Sequence, residues 1–316
     1  MSDTARNEHA SPGHRAWVRF KRNRLGVISS WYLLLLLMAV VAWPFILKMS
    51  PAHFAQLHDP DRLFDAQFLP PNGQHWFGTD LHGRDVFSRV MYGAQISLLV
   101  GAFGTLVSLI IGVLWGAISG YAGGRTDSVM MRILDMLYSQ PSIIFVIVLV
   151  TTVGETIKRW HFVQQYPAMA GAERVVLLFV GLGAISWLSM ARIVRGQVLT
   201  LRTRAFVEAS RALGARPHWI LARHIIPNTL GVIITYLALT MPAVILYESF
   251  LSYLGMGVEP PMASWGTLIA EGVGQINPIR IYWWLIIFPA AILVTTLLAL
   301  NFIGDGLRDA WDIKTK

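Results

Sequence analysis

Six stretches of this chain are apolar for long enough to cross a lipid bilayer, and that constrains its fold more than any other feature. A hydrocarbon core of about 30 Å takes about 20 helical residues. The stretches are roughly 25–47, 96–119, 130–153, 175–194, 230–254 and 281–303. The first, fifth and sixth are clear. The third contains Asp135, Ser139, Gln140 and Pro141, and the fourth runs into Arg192 and Arg195. Composition agrees. Hydrophobic residues make up 54% of the 316 and charged residues 14%, with a mean hydropathy of +0.52. A soluble domain carries about 25% charged residues, so too little polar surface is present to wrap a soluble core, and disorder needs the opposite bias. The chain therefore reads as an all-α polytopic membrane protein with six transmembrane helices.

The absence of cysteine excludes a disulfide framework, a thiolate zinc site, an iron–sulfur site and a cysteine nucleophile. The net charge of +8 would suit nucleic acid if it were clustered on a soluble face. Its placement argues otherwise. With the N-terminus inside, inner segments hold 18 of the 26 basic residues and outer segments hold 8. The positive-inside rule then puts both ends in the cytoplasm, and nucleic acid is not needed to explain the charge. A cleaved signal peptide, cut after Val40 and Ala42, is the alternative for the first stretch. The 24-residue leader is long for that, and the apolar run reaches full spanning length. The expected organisation is a cytoplasmic tail 1–24, a first span 25–47 and an ordered outer excursion 48–95. A core 96–305 with a cytoplasmic loop 196–228 follows, and then a tail 306–316. A second outer loop, 154–174, carries Lys158, Arg159, Trp160 and Tyr166.

The loop between the fourth and fifth stretches is longer than a connector needs and has helical spacing. Leu199, Phe206, Ala209 and Leu213 fall near one face. Gly214 then stops the helix by adopting positive φ at no steric cost. Pro217 suits the first turn of a second short helix, where its missing N–H is not needed. Trp219, Ile220 and Ile226 continue the apolar side, and Pro227 ends the unit. The result is a helix–turn–helix knob with small residues at the bend. Two readings stay open on physics alone. One is an amphipathic helix on the lipid surface, attracted by the seven arginines from Arg192 to Arg223. The other is a plug for the cleft of a cytoplasmic partner, since small residues permit close backbone approach.

The run 206–228 resembles the EAA loop of ABC-importer permeases through Glu208, Ala209 and Gly214. Ser210 stands for the third small residue and Ile226 for the usual leucine before Pro227. Residues 77–85, 119–132, 246–257, 264–266 and 301–310 resemble further segments of the peptide/nickel subfamily. The likeness covers about 19 to 316 and is greatest to the C-type subunit of oligopeptide/dipeptide importers. The loop 154–174 is longer than that family's usual one. The resemblance implies a type I importer permease core (MetI-like) in a bacterial inner membrane. It also implies a heterodimeric pore with a second homologous permease, two ATP-binding subunits and an external substrate-binding protein. On this reading Glu208, Ala209, Ser210, Leu213, Gly214, Ala215 and Pro217 couple the pore to the ATPase, and no catalytic residue, cofactor or metal is expected in this chain.

The sequence offers no drive of its own. A P-loop needs lysine after glycine to hold phosphates, and none of the lysines at 21, 48, 158, 314 and 316 follows one. An ion-coupled carrier or channel is the alternative. It would use Asp135 or Glu248, but neither is central in its span and no basic residue shares their depth. Among the outer histidines, His75 and His82 lack a carboxylate cluster, so solvated loop histidines are expected rather than a metal site. Asp80, Arg84 and Asp85 read as an ion-paired turn held against the second span. Trp43, Trp76, Trp187, Trp265, Trp283 and Trp284 read as interface anchors. Gly101, Gly104, Gly112, Gly116 and Gly120 read as a tight packing surface, within the chain or toward a second permease.

Overall fold

The computed structural model describes residues 12–158, 172–260 and 262–311. The expectations for 159–171, within the second outer loop, lie outside the described residues. Helices follow in the order α1 (Pro12–Phe20), α2 (Arg24–Met49), α3 (Ala52–Leu57), α4 (Val86–Ala122), α5 (Gly124–Tyr138) and α6 (Ser142–Lys158). Then come α7 (Ala172–Leu201), α8 (Ala205–Ala212) and α9 (Pro217–Ile220). A π-helical turn, Leu221–Ile225, leads into α10 (Ile226–Tyr253), followed by α11 (Trp265–Gly274) and α12 (Trp284–Trp311). Among the described residues the only β-type pairing is one isolated bridge, Thr79 to Asp85.

Helices α2, α4, α7, α10 and α12 are long and apolar enough to span a membrane. The expected third span is not one rod. Helices α5 and α6 meet at 85°, because Ser139 caps α5 and Pro141 cannot continue it. A proline also drives the residue before it away from the helical region. The expected start of the second span moves as well. Helix α4 begins ten residues before position 96, where the Asp85 carboxylate accepts the N–H of Ser88 at 2.9 Å. At 1.5 Å per residue, α4 is about 55 Å long and overshoots any bilayer core. The flanking helices also enter the expected loop 196–228, since α7 runs to Leu201 and α10 begins at Ile226.

Helices α4 and α7 lie in close contact along most of their length, and glycines make this possible. A Cβ on Gly112 would sit 2.6 Å from the Cβ of Met190, and one on Gly183 would sit 2.6 Å from that of Val107. Gly116 and Gly120 face α7 as well, Gly104 faces Val244 of α10 with Phe179 and Gly183 of α7 behind it, and Gly101 faces Ile245 of α10. The glycine stripe is thus used inside the subunit. The tryptophans divide. Trp43, Trp187, Trp265 and Trp284 are buried, whereas Trp76 and Trp283 are exposed. Two of the buried indoles donate inside the fold, Trp43 to Ser88 Oγ and Trp284 to the Thr79 carbonyl, both at 3.2 Å. That satisfies their N–H groups and makes them core residues instead of interface anchors.

Candidate coupling hairpin and its supporting networks

Helices α8 and α9 form a hairpin beyond the ends of α4, α7 and α10. Its base is apolar and closed. Val207, Ile220 and Ile225 are fully buried against Ala117, Met190, Val194, Val198 and Ile233. Its tip is open. Gly214 has φ +80°, and a Cβ there would meet nothing within 4 Å. The turn closes with the Ala215 N–H donating to the Ser210 carbonyl at 3.1 Å, and Pro217 takes the first position of α9. These features match the sequence expectations for Gly214 and Pro217. The apolar face does not. Leu213 is 88% exposed, and Phe206 and Trp219 are about half exposed. Val207, one position from the expected face, does the anchoring as the buried residue of the eight-residue α8.

Of the other residues singled out, Glu208, Ala209 and Pro217 are exposed, while Ser210 and Ala215 are half-buried. Glu208 lies in the first turn of α8, where a carboxylate complements the helix dipole. It has no hydrogen-bond or ion-pair partner among the described residues. The Ser210 hydroxyl donates to the Phe206 carbonyl at 2.8 Å. Together these residues present one surface of exposed apolar, small and acidic groups around a fixed turn.

Three polar contacts tie the hairpin end to the long helices. Arg195 of α7 donates through Nε and Nη2 to Asp127 of α5, at 2.5 and 2.6 Å, and the Ser119 hydroxyl donates to the same carboxylate. Such a two-pronged pair holds α5 against α7 in one geometry. Arg202 donates to the Gly120 carbonyl at 3.1 Å, and Arg211 lies over the Tyr121 ring at 4.9 Å. Asp135, expected to lack a basic partner at its depth, pairs with Arg192 at 2.9 Å. Glu248 is fully buried. Its oxygens accept from the Ser252 hydroxyl at 2.7 Å and the Ser97 hydroxyl at 3.0 Å, which ties α10 to α4.

At the opposite end, the segment between α3 and α4 closes over a second network. Arg89 is almost buried and donates to Asp80 at 2.9 Å and to both oxygens of Glu271. Arg84 donates to Asp80 at 2.7 Å, as expected for an ion-paired turn. Asp85 differs from its expected role. Its oxygens lie 2.9 Å from His75 Nδ1 and 3.1 Å from His58 Nδ1, and all three residues are buried. His75 is therefore not a solvated loop histidine. Among the described residues no group of three or more potential metal ligands is arranged to hold an ion. Arg89 with Glu271, Arg195 with Asp127 and Arg192 with Asp135 are ion pairs that sequence reasoning missed. The available signal was an arginine inside or beside an apolar helix, which is costly in lipid unless paired.

Fold and surface together define a helical membrane-transport subunit. Residues 112–316 match the family of binding-protein-dependent transport system inner membrane components, and residues 11–71 match the N-terminal transmembrane domain of oligopeptide transport permease C. The chain belongs to this family of ABC importer permeases and is a multi-span protein of the inner membrane. It is 40% identical, over 100% of its length and 90% of the relative's, to the dipeptide transport system permease protein of Bacillus subtilis strain 168. It is 43% identical to the oligopeptide transport system permease protein of Haemophilus influenzae, covering 94% of this chain and 87% of that one. The corresponding Escherichia coli K12 protein is also 43% identical, over 94% and 90%. Among solved structures, the inward-facing MetNI methionine ABC transporter shares the fold. The match has a TM-score of 0.51 and 18% identity over 72% of this chain and 95% of that one.

Proposed function

We propose that this chain is one of two homologous permease subunits of an ATP-driven oligopeptide or dipeptide importer. It would form half of the translocation pathway and leave ATP hydrolysis to two partner subunits. The supporting observation is the hairpin, with a base locked by Val207, Ile220 and Ile225 and a tip that exposes Leu213 and an unpaired Glu208. Leu213 with the half-exposed Phe206 and Trp219 gives the projection several exposed apolar side chains, the kind of surface that a protein partner covers. Seated in a groove of an ATP-binding subunit, the tip would transmit closure of those subunits into tilt of α7 and α10, switching the pathway between two accessible states. Glu208, Ala209, Ser210, Leu213, Gly214, Ala215 and Pro217 form the seat. An external binding protein would deliver cargo to the opposite end. Both termini and the hairpin would face the cytoplasm, in line with the arginines clustered there.

The chain contains no cysteine, so single cysteines at Ala212 and Ala215 are clean cross-linking probes. Each is expected to capture an ATP-binding subunit in intact cells, with a yield that changes when ATP is added to inside-out vesicles. Failure of both positions to capture one, together with uptake that collapses with the proton gradient while ATP is held constant, would reject the proposal in favour of an ion-coupled carrier.

A further inference from the structure

Helix α1 and the turn into α2 carry a charge that neither the transport pathway nor the hairpin uses. Residues 12–24 hold Arg15, Arg19, Lys21, Arg22 and Arg24 and no acid. All five are exposed, and none has a carboxylate partner among the described residues. The helix is not free to carry them elsewhere. Ala16 and Phe20, one turn apart, are buried against Ala310 of α12. The Phe20 ring fills the space beside Gly26 and Gly306, which lack a Cβ to exclude it. The Asn23 side chain accepts the Gly26 N–H at 3.0 Å and starts α2 immediately after the turn.

This pinning fixes the depth of the charges. Helix α2 is a membrane span whose first residue is Arg24, so residues 15–24 lie at the headgroup level of whichever leaflet it enters. Trp17 is 54% exposed, stacks on Phe20 at 6.0 Å between centroids, and has the Lys21 ammonium 5.2 Å from its ring. An exposed indole beside exposed cations is the composition of an interfacial helix. Arg15 and Arg19 are four residues apart and flank the buried stripe on one side, while Trp17 flanks it on the other.

We propose that α1 and the turn to α2 form a binding surface for anionic phospholipid headgroups. Arg15, Arg19, Lys21 and Arg22 would engage the phosphates, and Trp17 would enter the acyl boundary. Each basic residue near a membrane surface is worth about fivefold in affinity for acidic lipid, so four of them should gather such lipid locally even from a minority pool. The site recognises charge and depth, and it works whether or not the hairpin couples to an ATPase.

Gly13→Cys gives a single labelling point at the open start of α1, where a Cβ meets nothing within 4 Å. The full chain, labelled there with bimane, is placed in nanodiscs of phosphatidylcholine with a minor share of phosphatidylglycerol. A nitroxide quencher is carried on one lipid or the other. Quenching from labelled phosphatidylglycerol is expected to exceed its mole-fraction share by about fivefold or more. The excess should fall toward parity as salt is raised, and in the variant Arg15→Gln, Arg19→Gln, Lys21→Gln, Arg22→Gln. Equal quenching per mole by the two lipids in the unmodified chain would overturn the proposal, as would an excess that ignores salt. An excess that persists in a folded quadruple variant would remove these residues from the site. If the cations instead serve an acidic protein, the lipid excess is absent and ATP-binding subunits alone shield the bimane. The salt series needs no variant and decides the matter if the quadruple variant misfolds.

Discussion

At the end where α4 begins, Asp80, Arg89 and Glu271 neutralise one another and Asp85 lies between two buried imidazoles. At the other end Leu213 and Gly214 stand in solvent with nothing against them. Both ends leave the membrane, and both are built from short helices and turns. The difference lies in where their polar and apolar groups find partners. The first end pairs its charged groups within the chain, so its residues should act on stability. The hairpin satisfies only its base, so its tip should act on assembly and transport. A buried charge or donor left without its partner is expensive, whereas a change at an open surface costs the fold little.

Substitutions can break that division if it is wrong. Asp85→Ala should have the largest effect on stability, about 3–5 kcal/mol, since it strands His75 and the Ser88 N–H together and removes the carboxylate beside the buried His58. Thermal unfolding of the detergent-purified protein reads this, and a melting temperature unchanged from the parent would contradict the network. Ile220→Ala, at the hairpin base, should cost about 2–4 kcal/mol through the cavity it leaves, and it should weaken capture of an ATP-binding subunit because the tip loses its footing. Gly214→Ala keeps the packing and strains only the turn, by about 1–2 kcal/mol. The reduction in uptake should exceed what its loss of folded protein accounts for. Leu213→Ser and Glu208→Ala complete the series, with stability within about 0.5 kcal/mol of the parent and uptake of labelled peptide largely lost. Normal uptake by the Glu208→Ala, Gly214→Asp double variant would remove the hairpin from the mechanism.

Several parts of this arrangement were legible in the residues. Gly214 and Pro217 mark a turn and a helix start because backbone geometry allows few alternatives at those positions. The glycines of α4 announced close packing, but two settings were open to them, within the chain or toward a second permease. Only the proximity of Gly112 to Met190 and of Gly101 to Ile245 settles the choice. Spacing puts Phe206 and Leu213 near one apolar face, and Val207 is the residue of α8 that is buried. An eight-residue helix turns too few times for periodicity to fix its orientation. His75 and Asp85 are ten positions apart and gave no sign of meeting, because a loop between spans has no period to read.

By itself the sequence determined that this chain enters a membrane, roughly where each span lies, and that a structured knob interrupts the fourth and fifth. Hydrophobic length, proline and glycine are local properties, and lipid enforces them without reference to neighbours. Tertiary structure alone decided that Arg195 pairs with Asp127, that Arg89 is matched by Glu271, and that Trp265 is core instead of an interface anchor. Those outcomes depend on which distant surfaces come within a few ångströms, and pairing between residues 182 positions apart is written in no single stretch of the chain.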